Sequence, residues 1–324
     1  MPPDDAFASP LALPARGRFQ DPDVTATGEA RASVALSDPR TLWFNTGTLC
    51  NIDCPSCYIE SSPKNDRLVY MTRAEVERFL EEARALDWPL REVGFTGGEP
   101  FMNPEMIGMA EAALEAGHEV LILTNAMRPM MRPSVQAGIA DLAARFGARL
   151  TFRVSLDHHA APAHDAERGA GAFAASLEGM RWLRDHAPGA RLAVAGRAFM
   201  LGREAEARAG YAALFAREGL AIDAADPGAC VIFPEMDEAA PTPEITTACW
   251  GILGLSPDAV MCASARMVVR RKGSARASVA ACTLIPYDPA FDLGETLDAA
   301  SAPVKLNHPH CSKFCVLGGA SCSG

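Results

Sequence analysis

Apolar and polar positions follow two rhythms through the first two-thirds of the chain, and the switching between them predicts a repeating series of strands and helices. From Arg40 a short apolar run through Leu42 and Phe44 reads as a buried strand. Thr72 then opens a helix: Glu75, three positions on, completes a capping box, and Val76, Phe79, Leu80 and Ala83 fall on one face. Val93 to Thr96 read as a second buried strand, Glu105 to Ala116 as a helix stopped by Gly117, and HEVLILTNAM from His118 as a third strand. Ser134 to Phe146 continue as a helix and RLTFRVSLDHH as a strand. Arg168 to Leu183 give a glycine-rich turn and a helix, and Arg191 to Met200 a further strand. Strands alternating with helices predict an α/β fold with a parallel sheet and right-handed crossovers. Beyond Gly202 the rhythm is expected to stop.

In such sheets ligands gather at the carboxyl ends of the strands. Those ends carry Gly97 to Pro100, Thr124 and Asn125, Ser155 and Asp157, and Arg197. The chain has 324 residues, 49% of them hydrophobic, enough for one large domain or a domain with an appendage. We divide it into an extended arm over 1–38, with a hairpin around Thr27 to Glu29, a core over 39–202 and a region over 203–324 that completes the core fold and carries the remaining cysteines. A net charge of −10 argues against nucleic acid as partner, and Arg270 to Lys272 is the one compact basic run. No apolar stretch approaches the roughly 20 residues of a membrane span, and the proline-rich, acidic start lacks the order of a secretory signal. A soluble, cytoplasmic protein without a membrane partner is expected. Ten cysteines in that compartment point to metal or redox chemistry rather than disulfides.

Three of the cysteines, Cys50, Cys54 and Cys57, follow the first strand at CxxxCxxC spacing. Three thiolates on one loop suit a [4Fe–4S] cluster with one open iron; zinc with a distant fourth ligand, or unliganded thiols, are the other readings. One strand and one helix later stands GGEP, where Gly97 and Gly98 would let backbone approach a ligand and Glu99 would project a carboxylate. The cysteine spacing together with GGEP resembles the radical S-adenosylmethionine (radical SAM) enzymes, from about Arg40 to about Met200. The resemblance implies a partial (β/α)6 barrel and a cluster on Cys50, Cys54 and Cys57. It also implies SAM bound near Tyr58, Gly97, Gly98, Glu99, Pro100, Thr124, Asn125, Ser155 and Asp157, with Arg168 or Arg197 meeting its carboxylate; a surface ion pair is the other reading of each arginine. A reduced flavodoxin- or ferredoxin-type donor would supply the electron that cleaves SAM to a 5′-deoxyadenosyl radical, which abstracts hydrogen from substrate. One departure is Ser56, where many members place an aromatic before the third cysteine; here Tyr58 follows it.

The tail, HPHCSKFCVLGGASCSG, resembles the auxiliary-cluster extensions (SPASM or twitch type) of this family, although each cysteine gap is one residue longer than in the common pattern. An auxiliary [4Fe–4S] cluster on Cys282, Cys311, Cys315 and Cys322 is expected, with a zinc knot or buried reduced thiols as alternatives. His308 and His310 flank it; the segments around Cys262 and Cys282 resemble the half-way cysteines of these extensions, and the roles of Cys230, Cys249 and Cys262 as ligands are left open. The substrate is a small molecule or a peptide, the former favoured because no N-terminal leader-binding domain is recognised. A methylase or other SAM-group transferase and a non-catalytic iron–sulfur scaffold or electron carrier are the rival functions.

Overall fold

These runs assemble into one eight-stranded sheet in the computed structural model, which describes residues 17–198, 204–234 and 242–318. The strands are β1 (Ser33–Val34), β2 (Thr41–Asn45), β3 (Glu92–Thr96), β4 (Glu119–Thr124), β5 (Leu150–Ser155), β6 (Arg191–Ala198), β7 (Cys230–Pro234), β8 (Ala265–Val269), β9 (Ser278–Ala280) and β10 (Val304–Lys305). The helices are α1 (Arg73–Ala85), α2 (Met106–Glu115), α3 (Pro133–Phe146), α4 (Ala161–Arg168), α5 (Ala172–His186), α6 (Glu204–Glu218) and α7 (Cys249–Leu253). Sheet order is β7-β6-β5-β4-β3-β2-β8-β9, with every pair parallel except β8 and β9. This is the parallel α/β architecture that the alternation predicts.

Local chemistry explains the elements. β2 is buried at every position, as a parallel strand covered on both faces must be. The Thr72 hydroxyl accepts from Glu75 N while the Glu75 carboxylate accepts from Thr72 N at 2.9 Å, so both halves of the capping box form. Between β2 and β3 the sheet packs closely: a Cβ on Gly94 would lie 2.3 Å from the Trp43 ring. Trp43 therefore fills the space that the missing side chain leaves.

Two elements depart from the sequence reading. α4 precedes α5 as a separate helix, with Pro162 in its first turn and Gly169 (φ 96°) at its end, because proline fits the first helical turn and glycine the turn that ends it. The alternation also continues past Gly202 through α6 and β7. α6 buries only Tyr211, Leu214 and Phe215, so its apolar stripe is too sparse to stand out among alanines. The end of the run at Met200 lies outside the described residues.

Beyond the parallel strands, β8 and β9 form a hairpin, and the segments on either side of it contribute to a second apolar core containing Phe291, Leu306 and Phe314. The arm joins that region. A turn returns at Thr25–Glu29, β1 pairs antiparallel with β10, and the fully buried Arg31 side chain pairs with Glu244 at 2.5 Å.

Candidate functional site

The loop after β2 carries the three clustered cysteines and is held in place by backbone. Gly98 N donates to Gly47 O at 2.9 Å and Glu99 N to Leu49 O at 3.1 Å, so the carboxyl end of β3 runs alongside the start of the loop. Within the loop Cys57 N donates to Cys54 O, Cys50 N to Ser62 O, and Ser61 N to the Cys57 sulfur at 3.3 Å. A Cβ on Gly98 would stand 2.3 Å from Leu49 O, and one on Gly97 (φ 144°) 2.5 Å from Gly47 O. The glycines thus make room for the cysteine loop itself, in addition to edging the cavity where a ligand was expected.

That cavity, of about 200 Å³, opens at the carboxyl ends of β2 to β6. Cys50, Cys54, Cys57 and Tyr58 border it on one side, Gly97, Gly98, Thr124 and Asn125 on another, and Ser155, Asp157, Arg168 and Arg197 opposite. Glu99 and Pro100 are not on its wall. Instead the Glu99 carboxylate is buried and accepts from Thr124 Oγ1 (2.8 Å), Asn125 N (2.8 Å) and Phe101 N (3.2 Å). Burial pushes its pKa up to about 7 against these donors. Glu99 therefore ties the end of β3 to the end of β4 and positions Asn125, whose amide donates to Asn51 in the cysteine loop at 2.9 Å. A larger cavity of about 650 Å³ lies at the opposite ends of the strands and has no cysteine on its wall.

Both arginines are ion-paired. Arg168 holds Asp157 through two bonds, 2.6 and 3.0 Å, in a buried setting. Arg197 pairs with Glu167 at 3.1 Å and bonds Ser56, which itself donates to Glu167 at 2.5 Å. Sequence reasoning missed Glu167 and Ser56 as partners; the short helix α4 that presents Glu167 was itself not recognised. Ser56, at the position that departs from the family pattern, links the loop to β6.

His164 lies under this network, fully buried, with Nδ1 accepting from Asp157 N at 3.1 Å and no partner on Nε2. Burial, reinforced by the Arg168 charge, pushes its pKa down from 6.5 to about 4. The unfolded chain takes up the proton first, so stability is present above pH 6.5 and is lost as pH falls toward 4. The loss is at most about 3 kcal/mol. Over the same range the raised Glu99 acts in the opposite sense, so the His164 term is read as a difference: between pH 7 and 5 the parent should lose melting temperature relative to His164→Asn, and an identical pH dependence in both proteins would exclude His164 as a source.

The donor set fits a cluster. Burial pushes the Cys50 thiol up to about 12 and raises Cys54 against the pull of Arg168, so thiolates there need the positive charge of a bound metal. Among the described residues no three His, Cys, Asp or Glu side chains stand close enough to hold a single metal ion.

A second group of cysteines lies beyond the cavity wall. Cys282, Cys311 and Cys315 border one small apolar cavity of about 20 Å³, and Cys262 joins them. Cys322 lies outside the described residues. Cys262 and Cys282 stand just outside the two arms of the β8–β9 hairpin, a symmetry about the turn at Gly273 that could have signalled the pairing. Cys311 and Cys315 lie on a π-helical turn, Cys311–Val316. Between them Phe314 faces the larger site, where it stacks on Phe233 at 5.6 Å and lines the cavity with Thr283 and Leu284. Cys249 is apart from this group, its sulfur accepting from Thr246 N at 3.3 Å, and Cys230 is buried in β7.

Residues 44–206 match the family model of the Radical SAM superfamily. The antilisterial bacteriocin subtilosin biosynthesis protein AlbA of Bacillus subtilis (strain 168) is 29% identical over 147 residues, 45% of this chain and 30% of that protein. The AdoMet-dependent heme synthase of Methanosarcina barkeri (strain Fusaro / DSM 804) is 29% identical over 150 residues, 45% of this chain and 39% of that protein. The match thus spans 30% and 39% of these two relatives' lengths. Among solved structures, anSMEcpe with bound AdoMet shares the fold at a TM-score of 0.58 and 13% identity, over 87% of this chain and 81% of that one. Streptococcus suis SuiB bound to S-adenosylmethionine does so at 0.57 and 12%, over 80% and 63%. Among the described residues no helix is long and apolar enough to cross a membrane.

Proposed function

Since this chain belongs to the radical SAM superfamily, we propose that it is an enzyme that cleaves SAM reductively and abstracts hydrogen from a substrate in the cavity beneath the cysteine loop. The observation that carries this reading is the convergence of Cys50, Cys54 and Cys57 with Gly97, Gly98, Asn125 and Asp157 on one cavity at the strand ends. With a [4Fe–4S] cluster on the three cysteines and SAM beside it, the site supplies a 5′-deoxyadenosyl radical when an electron arrives from a flavodoxin- or ferredoxin-type donor.

The chain's residues supply position and exclusion of water. The backbone of Gly97 and Gly98 edges the cavity, where it can bond the amino end of SAM, while Glu99 holds that edge to β4. The Arg168–Asp157 pair presents a fixed charge pattern toward the ribose and carboxylate, at no rotamer cost on binding. Tyr58, Phe233 and Phe314 form the apolar side of the same cavity, suited to adenine or a substrate side chain.

The C-terminal cysteines form an auxiliary [4Fe–4S] site in this proposal, and Cys262, Cys282, Cys311 and Cys315 are its ligands, with Cys262 in the place first given to Cys322. Leu284 lines both chambers, so in this proposal the centre adjoins the substrate cavity and can take an electron from a substrate radical. The similarity to AlbA, a bacteriocin biosynthesis protein, favours a peptide over the small molecule first expected. The fold shared with anSMEcpe, solved with the Cp18Cys peptide, agrees. A small molecule is the second reading, favoured by the similarity to a heme synthase.

Metal analysis and a 5′-deoxyadenosine assay on anaerobically reconstituted protein test the proposal. We expect iron and sulfide in both centres and 5′-deoxyadenosine release that requires SAM and reductant. Iron-loaded protein that releases none would make it a scaffold or carrier instead.

A further inference from the structure

Arg266 sits in β8, fully buried among the residues behind the C-terminal cysteines. Its guanidinium is bonded to carbonyls: Nε donates to Ala300 O at 2.8 Å, Nη1 to Cys262 O at 2.6 Å and Ala265 O at 2.9 Å, and Nη2 to Ala302 O at 3.2 Å. These four bonds serve most of its five N–H donors but leave its charge unmatched. Two arginines described above are treated differently. Arg31, whose side chain is fully buried, is paired with Glu244 at 2.5 Å, and the partly buried Arg168 with Asp157 at 2.6 Å, whereas among the described residues no carboxylate forms an ion pair with Arg266.

An uncompensated cation in an apolar core is expensive, and the usual outcomes are neutralisation or a paired anion. A guanidinium does not lose its proton in proteins, which leaves the anion. Cys262, whose carbonyl Arg266 bonds at 2.6 Å, and Cys282, which follows the strand paired with β8, carry thiols that can take negative charge near it, and they are two of the four cysteines that border the small C-terminal cavity. As neutral thiols they leave the cation unmatched; as thiolates on a metal centre they match it. Burial pushes Arg266 down to about 10 even with Cys262 and then Cys282 opposing that shift.

We propose that Arg266 is the built-in counter-charge of the C-terminal metal–thiolate centre and sets its reduction potential. The inference rests on the reading that these cysteines hold an iron–sulfur cluster. Reduction adds negative charge to such a centre, and a fixed cation behind two of its ligands stabilises the reduced form, so it raises the potential. Arg266 touches neither substrate nor SAM; it is a positioning and tuning residue for the centre.

The test uses the full chain with Cys50, Cys54 and Cys57 replaced by alanine, so that the C-terminal centre is the only cluster read. Iron is determined first, then the midpoint potential by redox titration followed by electron paramagnetic resonance. Arg266→Gln removes the charge, and Arg266→Lys keeps it while giving up most of the carbonyl contacts. We expect the glutamine variant to titrate at a more negative potential than the parent, with the lysine variant close to the parent. If the glutamine variant loses its iron while the lysine variant keeps it, the charge is needed even to assemble the thiolates, which supports the same conclusion. Equal potentials in parent and glutamine variant at equal iron would overturn it. So would a lysine variant that shifts, or loses iron, as much as glutamine, because the carbonyl contacts would then account for the effect. A parent without iron would instead remove the cluster reading itself, visible before any potential is measured.

Discussion

Replacing Cys50, Cys54 and Cys57 together with alanine is expected to abolish 5′-deoxyadenosine release and to remove one cluster's worth of iron, leaving the iron of the C-terminal centre in place. Among the described residues the three thiols are the only cysteines on the wall of the central cavity, so no described neighbour can take over their ligation. Each alanine deletes one sulfur from a loop whose course is fixed by backbone bonds such as Cys50 N to Ser62 O. The fold should therefore survive, and far-ultraviolet circular dichroism should match the parent. Undiminished 5′-deoxyadenosine from this variant would place the SAM-cleaving centre elsewhere.

Gly98→Val should lower both SAM binding and iron loading at the three-cysteine loop by an order of magnitude or more. Reasoning from sequence alone predicts a milder result, in which a side chain at Gly98 obstructs SAM and spares the cluster. The structure changes that expectation because the added Cβ would lie 2.3 Å from Leu49 O and 2.7 Å from Thr48 O. Neither atom is the end of a flexible side chain; both belong to the backbone leading into Cys50. Relief requires moving the loop, at a cost of about 3 kcal/mol for overpacking of this kind. Retained iron together with weakened SAM binding would show that the loop can yield and would restore the simpler picture.

The contrast shows what the sequence could convey. Runs such as Leu42 to Phe44 and Val93 to Thr96 announce buried strands because burial on both faces leaves no polar position to confuse the period. Thr72 and Glu75 announce a helix start because both halves of the capping box are local. Cys50, Cys54 and Cys57 are legible for the same reason: their geometry is set within a single loop. What escaped is long-range. Cys262 reaches Cys311 only through the β8–β9 hairpin, and Glu167 meets Arg197 only because α4 folds back over the strand ends. The bonding of Glu99 was equally hidden, since its partners Thr124 and Asn125 belong to the next strand and the tetrapeptide around it reads as a ligand-facing turn. Residue type gave the chemistry in each case, and topology decided who met whom.

The pairing of β2 with β8 carries a consequence for how the protein is made. Thr41 aligns with Ala265 and Phe44 with Val268, so one edge of the strand that leads into the cysteine loop waits for a segment near the far end of the chain. Until β8 emerges from the ribosome, a row of backbone donors and acceptors beside Leu42, Trp43 and Phe44 has no native partner. Such an edge is a template for pairing between chains. Closing a loop this long also makes the contact slow to form. Chains that stall before Val269 should therefore be the aggregating ones, and holding nascent protein back until its last third is complete should matter more for soluble yield than the supply of iron.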